Sequence, residues 1–507
     1  MKYIIILAGL ALITTNAYVS AQNTLSYPIV DTDQEIFYDT IDEIPAPNPG
    51  EIYYGQDANY AGFAPSYQDN GDGTISDLVT GLMWSKSPDI DGNGDINYAD
   101  KMSYSEALAG ADTFSLAGYN DWRLPSIKEM YSLIIFSGRD PSGYNGTSTE
   151  DLVPFIDTDY FDFAYGDVSA GERIIDAQMA SSNIYVSTTM GGDETMFGVN
   201  FADGRIKGYP TGPMPGQTED KQFYVYYVRG NSQYGTNDFQ DNGDGTITDN
   251  ATGLMWTQND DGNGMSWSEA LTYAEGTEFA GYGDWRLPNV KELQSLIDYT
   301  RSPATSNSAA IDPIFNCSPI IDEGGGQNFP FYWSGTTHAN FQDENSGGYA
   351  SYLCFGEGLG WMEEPPMSGN FTLMDVHGAG AQRSDPKVGN PGDWPYGHGP
   401  QGDVIRIYNY VRLVRDADSS MSLDESSLYQ PELRIFPNPV SDILNIEADM
   451  NISGELFIID TFGKVVMSNP LSFSAGYSIQ IEHLASGIYF VRIVNSSTVL
   501  SGRFVKY

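Results

Sequence analysis

The chain has 507 residues, 40% hydrophobic and 13% aromatic, which suits three or four globular domains and argues against a disordered protein. Against 24 Lys and Arg stand 68 Asp and Glu, a formal charge of −44. That balance argues against nucleic acid and anionic membranes as partners and suits a salty exterior.

Residues 1–21 read as a secretory signal: Lys2, an apolar run from Tyr3 to Ile13, then small residues at Val19-Ser20-Ala21 for cleavage. The run is shorter than a membrane span of about 20 residues, and no later segment is apolar enough for one. No Cys follows the cleavage point, which argues against a lipid anchor.

Most of the mature chain is one unit written twice. Residues 69–84 read DNGDGTISDLVTGLMW and 241–256 read DNGDGTITDNATGLMW; residues 121–129 read DWRLPSIKE and 284–292 read DWRLPNVKE. The spacing predicts modules over 22–230 and 231–416. In each, Asx-Gly turns and period-2 alternation predict a hairpin, Thr74–Asp77 with Leu82–Trp84 in the first copy. Ser103 or Ser105, and Ser266 or Ser268, then cap a helix. Trp-Arg-Leu reads as a strand, and a helix opens after Pro125 and Pro288 with Ile127, Met130, Leu133 and Ile134 on one face. The remaining apolar runs read as strands: 184–189, 197–201 and 223–229 in the first copy, 332–337, 349–355 and 405–415 in the second. The order predicts an α+β module with mostly antiparallel pairing.

Between the first hairpin and helix, residues 89–100 read DIDGNGDINYAD. Asp89, Asp91, Asn93, Asp95, Asn97 and Asp100 stand at positions 1, 3, 5, 7, 9 and 12 of an EF-hand-like loop, with Gly94 at the sharp turn. Alternating oxygens at that spacing suit Ca²⁺. Position 12 is Asp rather than the longer Glu, so an Asp/Asn/Gly turn without metal is the other reading. The second copy keeps Asn259, Asp261 and Asn263 but has Ala270 at position 12, and is expected to bind more weakly.

The second copy also carries features the first lacks. Its stretch 358–415 corresponds to only 204–229 in the first, an insertion rich in Gly, Pro and His that holds Trp361 and Trp394. Long irregular loops are often functional, so both tryptophans are candidate ligand-stacking residues, with a packed structural loop as the alternative. The two cysteines, Cys317 and Cys354, lie in this copy too. An exported location permits a Cys317–Cys354 disulfide; the alternative is two separately buried thiols.

Residues 417–430, rich in Ser and Asp, read as a linker. From 431 to 507, short apolar runs alternate with turns at 433–436, 443–446, 455–459, 464–467, 478–481, 488–493 and 502–505, the pattern of an all-β sandwich.

Two resemblances rest on these residues. Phe436-Pro437-Asn438-Pro439, Asp460-Thr461-Phe462-Gly463-Lys464, Leu484-Ala485-Ser486-Gly487-Ile488-Tyr489 and the end Lys506-Tyr507 resemble the type A sorting domain of the type IX (Por) secretion system. That resemblance implies export by the type IX machinery to the cell surface or beyond it. Gly-Asp-Gly-Thr-Ile-x-Asp, Thr-Gly-Leu-Met-Trp, Asp-Trp-Arg-Leu-Pro, Tyr332-Trp333-Ser334-Gly335-Thr336-Thr337 and Tyr410-Val411-Arg412-Leu413-Val414-Arg415 resemble the Lcl C-terminal domain family, over about 25–230 and 237–416. This implies a fold related to the C-type lectins and to formylglycine-generating enzymes.

The expectation is therefore two tandem C-type-lectin-like modules and a sorting domain. Together they make a secreted or cell-surface, non-enzymatic binding protein, an adhesin for a glycan or another surface polymer, with Ca²⁺ as the suspected cofactor. A structural matrix component without a small ligand is the alternative. A formylglycine-generating-enzyme-like metalloenzyme is a weaker one: Cys317 and Cys354 have no partners in the first copy, and His338, His377 and His398 match no compact zinc motif.

Overall fold

The structure is a computed structural model that describes residues 25–214, 216–342, 345–365, 367–417, 434–447, 452–460, 465–473, 476–494 and 499–507. The expected signal at 1–21 and, apart from Ala417, the expected linker at 417–430 lie outside the described residues. The chain divides into two compact units, Met1–Ala417 and Asp418–Tyr507.

The second unit holds two antiparallel sheets. One orders Arg434–Phe436, Ile443–Glu447 and Tyr477–Gln480; the other orders Val465–Phe473, Ile452–Asp460, Gly487–Val494 and Val499–Lys506. Leu444, Ile446, Leu456, Ile458, Val491, Ile493 and Phe504 form one core between them. Every strand expected from the apolar runs is present, most of them longer than the run itself.

In the first unit strands dominate and helices are few and short. Both repeat hairpins form as expected. Thr74–Asp77 pairs with Leu82–Ser85, and Thr246–Asp249 with Leu254–Thr257. Each is extended on one side by the strand before it and on the other by the last strand of its own copy, Val228–Gly230 or Val414–Asp416. Ser103 and Ser266 are the caps, each in a capping box with the Glu three residues on. Trp-Arg-Leu is not a strand: Arg123 and Arg286 make only isolated bridges, to Val228 and Val414. The long run 405–415 is likewise strand only at its end, Val414–Asp416.

The two modules are not separate bodies. Each gives three strands to one six-stranded antiparallel sheet, in the order Phe331–Thr337, Tyr349–Cys354, Gln382–Pro386, Arg205–Pro210, Asp193–Asn200, Gln178–Thr189. The order is palindromic, and the copies meet where Gln382 pairs with Ile206. One core cluster draws on both: Trp84, Ile127, Met130, Phe197 and Val199 join Trp256, Val290, Leu293, Tyr332 and Leu353. Residues 25–60 cross onto the second copy, where Gln34 Nε2 donates to the Thr337 carbonyl (2.7 Å) and the Thr32 and Thr336 hydroxyls both donate to buried Asp57. The boundary at 230 thus marks the repeat in the sequence and not a boundary in the fold.

Candidate functional site

The repeated motifs have structural work. Asp121 and Asp284 each take a paired hydrogen bond from the guanidinium that ends their copy, Arg229 and Arg415. Trp122, Trp285, Leu124 and Leu287 are buried. Arg123 and Arg286 pair with Glu129 and Glu292, which also cap their own helices. The Lys of each motif crosses to the other copy. Lys128 Nζ donates to the Ser295 carbonyl (2.7 Å), and Lys291 Nζ to the Ser132 carbonyl (3.0 Å), each satisfying the open end of the other's helix. Trp84 and Trp256 have no exposed surface. The motifs that define the module therefore build its frame, and a ligand must be sought where the copies differ.

The acidic loop at 89–100 is one such place. Asp89, Asp91 and Asp100 each bring a carboxylate oxygen within 4.8 Å of the other two. Asp89 accepts from the Gly94 and Gly92 N–H groups, which hold its carboxyl below the usual range. Asp100 is fully buried and accepts from Ile90 and Asn97 N–H. Asn93, Asp95 and Asn97 stand outside the trio. Asn93 donates to Asp91 and accepts from Asp95 N–H, Asn97 caps the turn at 98–100, and Asp95 is exposed. In the second copy the counterpart differs: Asp260 is spent internally on Ser318 and Tyr332, and Asp261 accepts from Val411 N–H.

The disulfide expectation is overturned: both cysteines are free. The pleat separates them. Cys354 lies opposite Phe331, in the core around Trp333 and Tyr352. Cys317 lies against the other face, where its sulfur is 3.0 Å from the Tyr332 hydroxyl. Burial pushes the Cys317 thiol up to about 11, away from the reactive thiolate.

The insertion folds as a hairpin, Leu359–Glu363 with Phe371–Asp375. Trp361 and Trp394 are each half-buried and do not form a pair. Trp394 instead closes over Gly389, whose φ of +138° disfavours any side chain. Trp361 meets Tyr396 edge-on at 6.1 Å, and Tyr396 stacks on Phe371 at 4.1 Å. Tyr396 is 52% and Phe371 36% exposed, so the three rings form an aromatic ridge open to solvent. Sequence reasoning found one of the three. Phe371 and Tyr396 were unmarked because their partner rings are distant in the chain.

Asp375 anchors this hairpin to the first copy, accepting from the Tyr185 hydroxyl (2.8 Å) and Gly378 N–H (2.8 Å). Burial raises its carboxyl to about 7. A carboxyl raised in the folded state adds stability that is fully present below its unfolded pKa and is lost as pH rises through the folded value. The contribution of Asp375 should therefore fall between pH 4 and 7. Asp375→Asn, which keeps the shape and the acceptor, should remove that fall and exceed the parent by about 2–4 kcal/mol at pH 8. Denaturant titrations at pH 4, 6 and 8 will show a gap that widens with pH; a constant gap contradicts the assignment.

Comparison with known families places these features. The Lcl C-terminal domain matches residues 73–229 and 245–375, more than half of the chain. The secretion system C-terminal sorting domain matches residues 434–507. No curated protein matches. The sorting domain directs the chain through the type IX machinery to the cell surface or the extracellular space. No helix among the described residues is long and apolar enough to cross a membrane.

Proposed function

The chain belongs to the Lcl C-terminal domain family, and we propose that it works outside the cell as a non-enzymatic binding protein, an adhesin for a glycan or another surface polymer. The observation that carries this reading is the ridge of Trp361, Phe371 and Tyr396. Flat, rigid rings clustered open to water mark a surface that a partner can bury, and they offer large contact area at little entropy cost. Sugar rings present C–H faces that stack on them. The ridge sits on the unrepeated insertion, where the frame imposes no residue. We read the modules as C-type-lectin-like, with Ca²⁺ held by Asp89, Asp91 and Asp100 as an ordering ion in the first copy. The charge of −44 favours uncharged over sulfated polymers.

A glycan array probed with the purified chain, with and without Ca²⁺, tests the reading. Neutral glycans should bind more tightly than sulfated ones. Tyr396→Ala should weaken binding at least about tenfold, a loss of about 1.4 kcal/mol, with little change in melting temperature. Ca²⁺ at a hundredfold excess over its dissociation constant should add about 2.7 kcal/mol of stability, and Asp91→Ala should remove that gain. Absence of binding to every glycan in both conditions would sink the adhesin reading. A purely structural role is favoured by one observation, the fusion of both repeats into a single unit. Self-association of the chain without glycan binding would support it.

A further inference from the structure

The copies differ at one position in the frame where the difference opens space. The helix and loop after each hairpin align as SYSEALAGADTFSLAGYNDW at 103–122 and SWSEALTYAEGTEFAGYGDW at 266–285. Gly110, Phe114 and Leu116 of the first copy therefore stand where Tyr273, Thr277 and Phe279 stand in the second. In the closing strand, Tyr227 stands where the second copy has Leu413.

In the first copy these residues fill one another's space. Phe114 packs against Tyr227 (4.5 Å) and Trp122 (5.7 Å). The Tyr227 hydroxyl reaches the Ala107 carbonyl (3.1 Å) across Gly110; a Cβ on that glycine would lie 2.3 Å from its oxygen. The second copy replaces Phe114 with Thr and Tyr227 with Leu, and swings an aromatic ring outward as Tyr273. A cavity of about 320 Å³ results, at the lower end of the range of small-molecule sites, roughly 300–1,000 Å³.

Its lining has a definite chemistry. Tyr273 and Phe279, 41% and 37% exposed, stand at the rim. Asn259, Asp260 and Asp261 also line it. Both carboxylates are fixed before any ligand arrives. Asp260 is held by Ser318 N–H (2.8 Å) and hydroxyl (2.6 Å), and Asp261 by Val411 N–H (2.7 Å). An ionised carboxylate has about four acceptor sites: Asp260, which also accepts from the Tyr332 hydroxyl and Gly262 N–H, is filled, whereas Asp261, with only the Val411 and Asn263 N–H groups, keeps lone pairs for further donors. Aromatic faces beside the fixed, still open Asp261 carboxylate suit a molecule with apolar C–H faces and hydroxyl donors. The carboxylates repel an anion.

We propose that the second repeat carries a binding pocket for a single uncharged pyranose ring, which the first repeat has closed with Phe114 and Tyr227. This rests on the glycan-binding reading and gives it a second site, distinct in sequence from the aromatic ridge. The test is ligand-observed saturation-transfer NMR on the purified chain, with glucose, galactose, mannose, N-acetylglucosamine and glucuronate, each at millimolar concentration. At least one neutral sugar should give a signal and glucuronate none. Thr277→Phe, which installs the first copy's plug, should weaken that binding at least tenfold without lowering the melting temperature. Tyr273→Ala, at an exposed ring outside the core, should weaken it independently, so the test stands even where the plug perturbs folding. Tyr396→Ala should leave it unchanged while reducing polymer binding. No signal from any neutral sugar overturns the pocket, as does a signal that survives both pocket variants. If polymer binding persists in either case, the adhesin reading stands without the pocket; if polymer binding is absent while a neutral sugar fills the pocket, the reverse holds.

Discussion

Cutting the chain between Gly230 and Asn231 will yield two halves that fail to fold alone, although the cut falls between two complete sequence repeats. Each half would lose its part of the shared core, in which Phe197 of the first copy packs on Tyr299 of the second at 4.9 Å. Exposing half a dozen such side chains costs on the order of 10 kcal/mol at about 1.5–3 kcal/mol each. That rivals the whole stability of an ordinary domain, roughly 5–15 kcal/mol. The cut would also bare the edges of Arg205–Pro210 and Gln382–Pro386, templates for aggregation. Lys128 and Lys291 would lose the carbonyls of the opposite helix. The halves, expressed singly, should show no cooperative melting; expressed together, they should associate and melt as one. A cooperative transition in either isolated half, at the parent's temperature, would mean that the seam is only a docking contact.

The sequence was legible wherever neighbours along the chain decide the structure. Ser103 and Glu106 specify a helix start within four residues, and Asp77 closes its turn on the Val79 and Thr80 N–H groups. The sorting-domain strands come from simple alternation. It was illegible where distant residues decide. Arg205–Pro210 reads RIKGYP and Gln382–Pro386 reads QRSDP, too charged and too rich in Gly and Pro for interior strands by local pattern. They hold the centre of the sheet because Arg205 is answered by Asp140 and Arg383 by Asp403, both outside the local pattern, while Lys207 finds Asp203 four residues back. Trp-Arg-Leu failed in the opposite sense: Trp and Leu are buried as in a strand, but Arg123 and Arg286 turn to Glu129 and Glu292 and no ladder forms. The acidic loop was half legible. Its spacing located Asp89, Asp91 and Asp100, whereas the turns that bring them together consume Asn93 and Asn97. The pocket emerges only by setting one copy against the other, since Thr277 and Leu413 are unremarkable until Phe114 and Tyr227 show what they replaced.

Those charges at the seam make Asp203→Ala the most damaging single substitution expected. The Asp203 side chain has no exposed surface; it accepts from Lys207 Nζ at 2.7 Å and lies 3.6 Å from Arg205 Nη1. Arg205 in turn pairs with Asp140 at 2.7 Å and reaches Ser384 of the second copy at 3.2 Å. His338 lies beside them, its Nε2 2.9 Å from the Asp203 carbonyl. Burial lowers it to about 4, so it is neutral at physiological pH and its 3.9 Å approach to Asp140 is no ion pair. Burial also lowers Lys207 to about 8, while the Asp203 charge works to keep it protonated. Removing Asp203 strands a buried ammonium beside a guanidinium, and breaking a buried pair from one side costs about 3–5 kcal/mol. The cost has a pH signature. With Asp203 gone, Lys207 falls further and sheds its proton in the folded state. A cation whose folded pKa is depressed leaves the native state binding fewer protons than the unfolded state, so stability rises with pH across that interval. The variant should therefore be far less stable than the parent at pH 6 and recover part of the deficit by pH 9. Asp203→Asn, which keeps the shape but not the charge, should show the same recovery from a smaller deficit. Denaturant titrations of the purified chain at both values decide it: a deficit independent of pH would mean that Asp203 matters for packing alone.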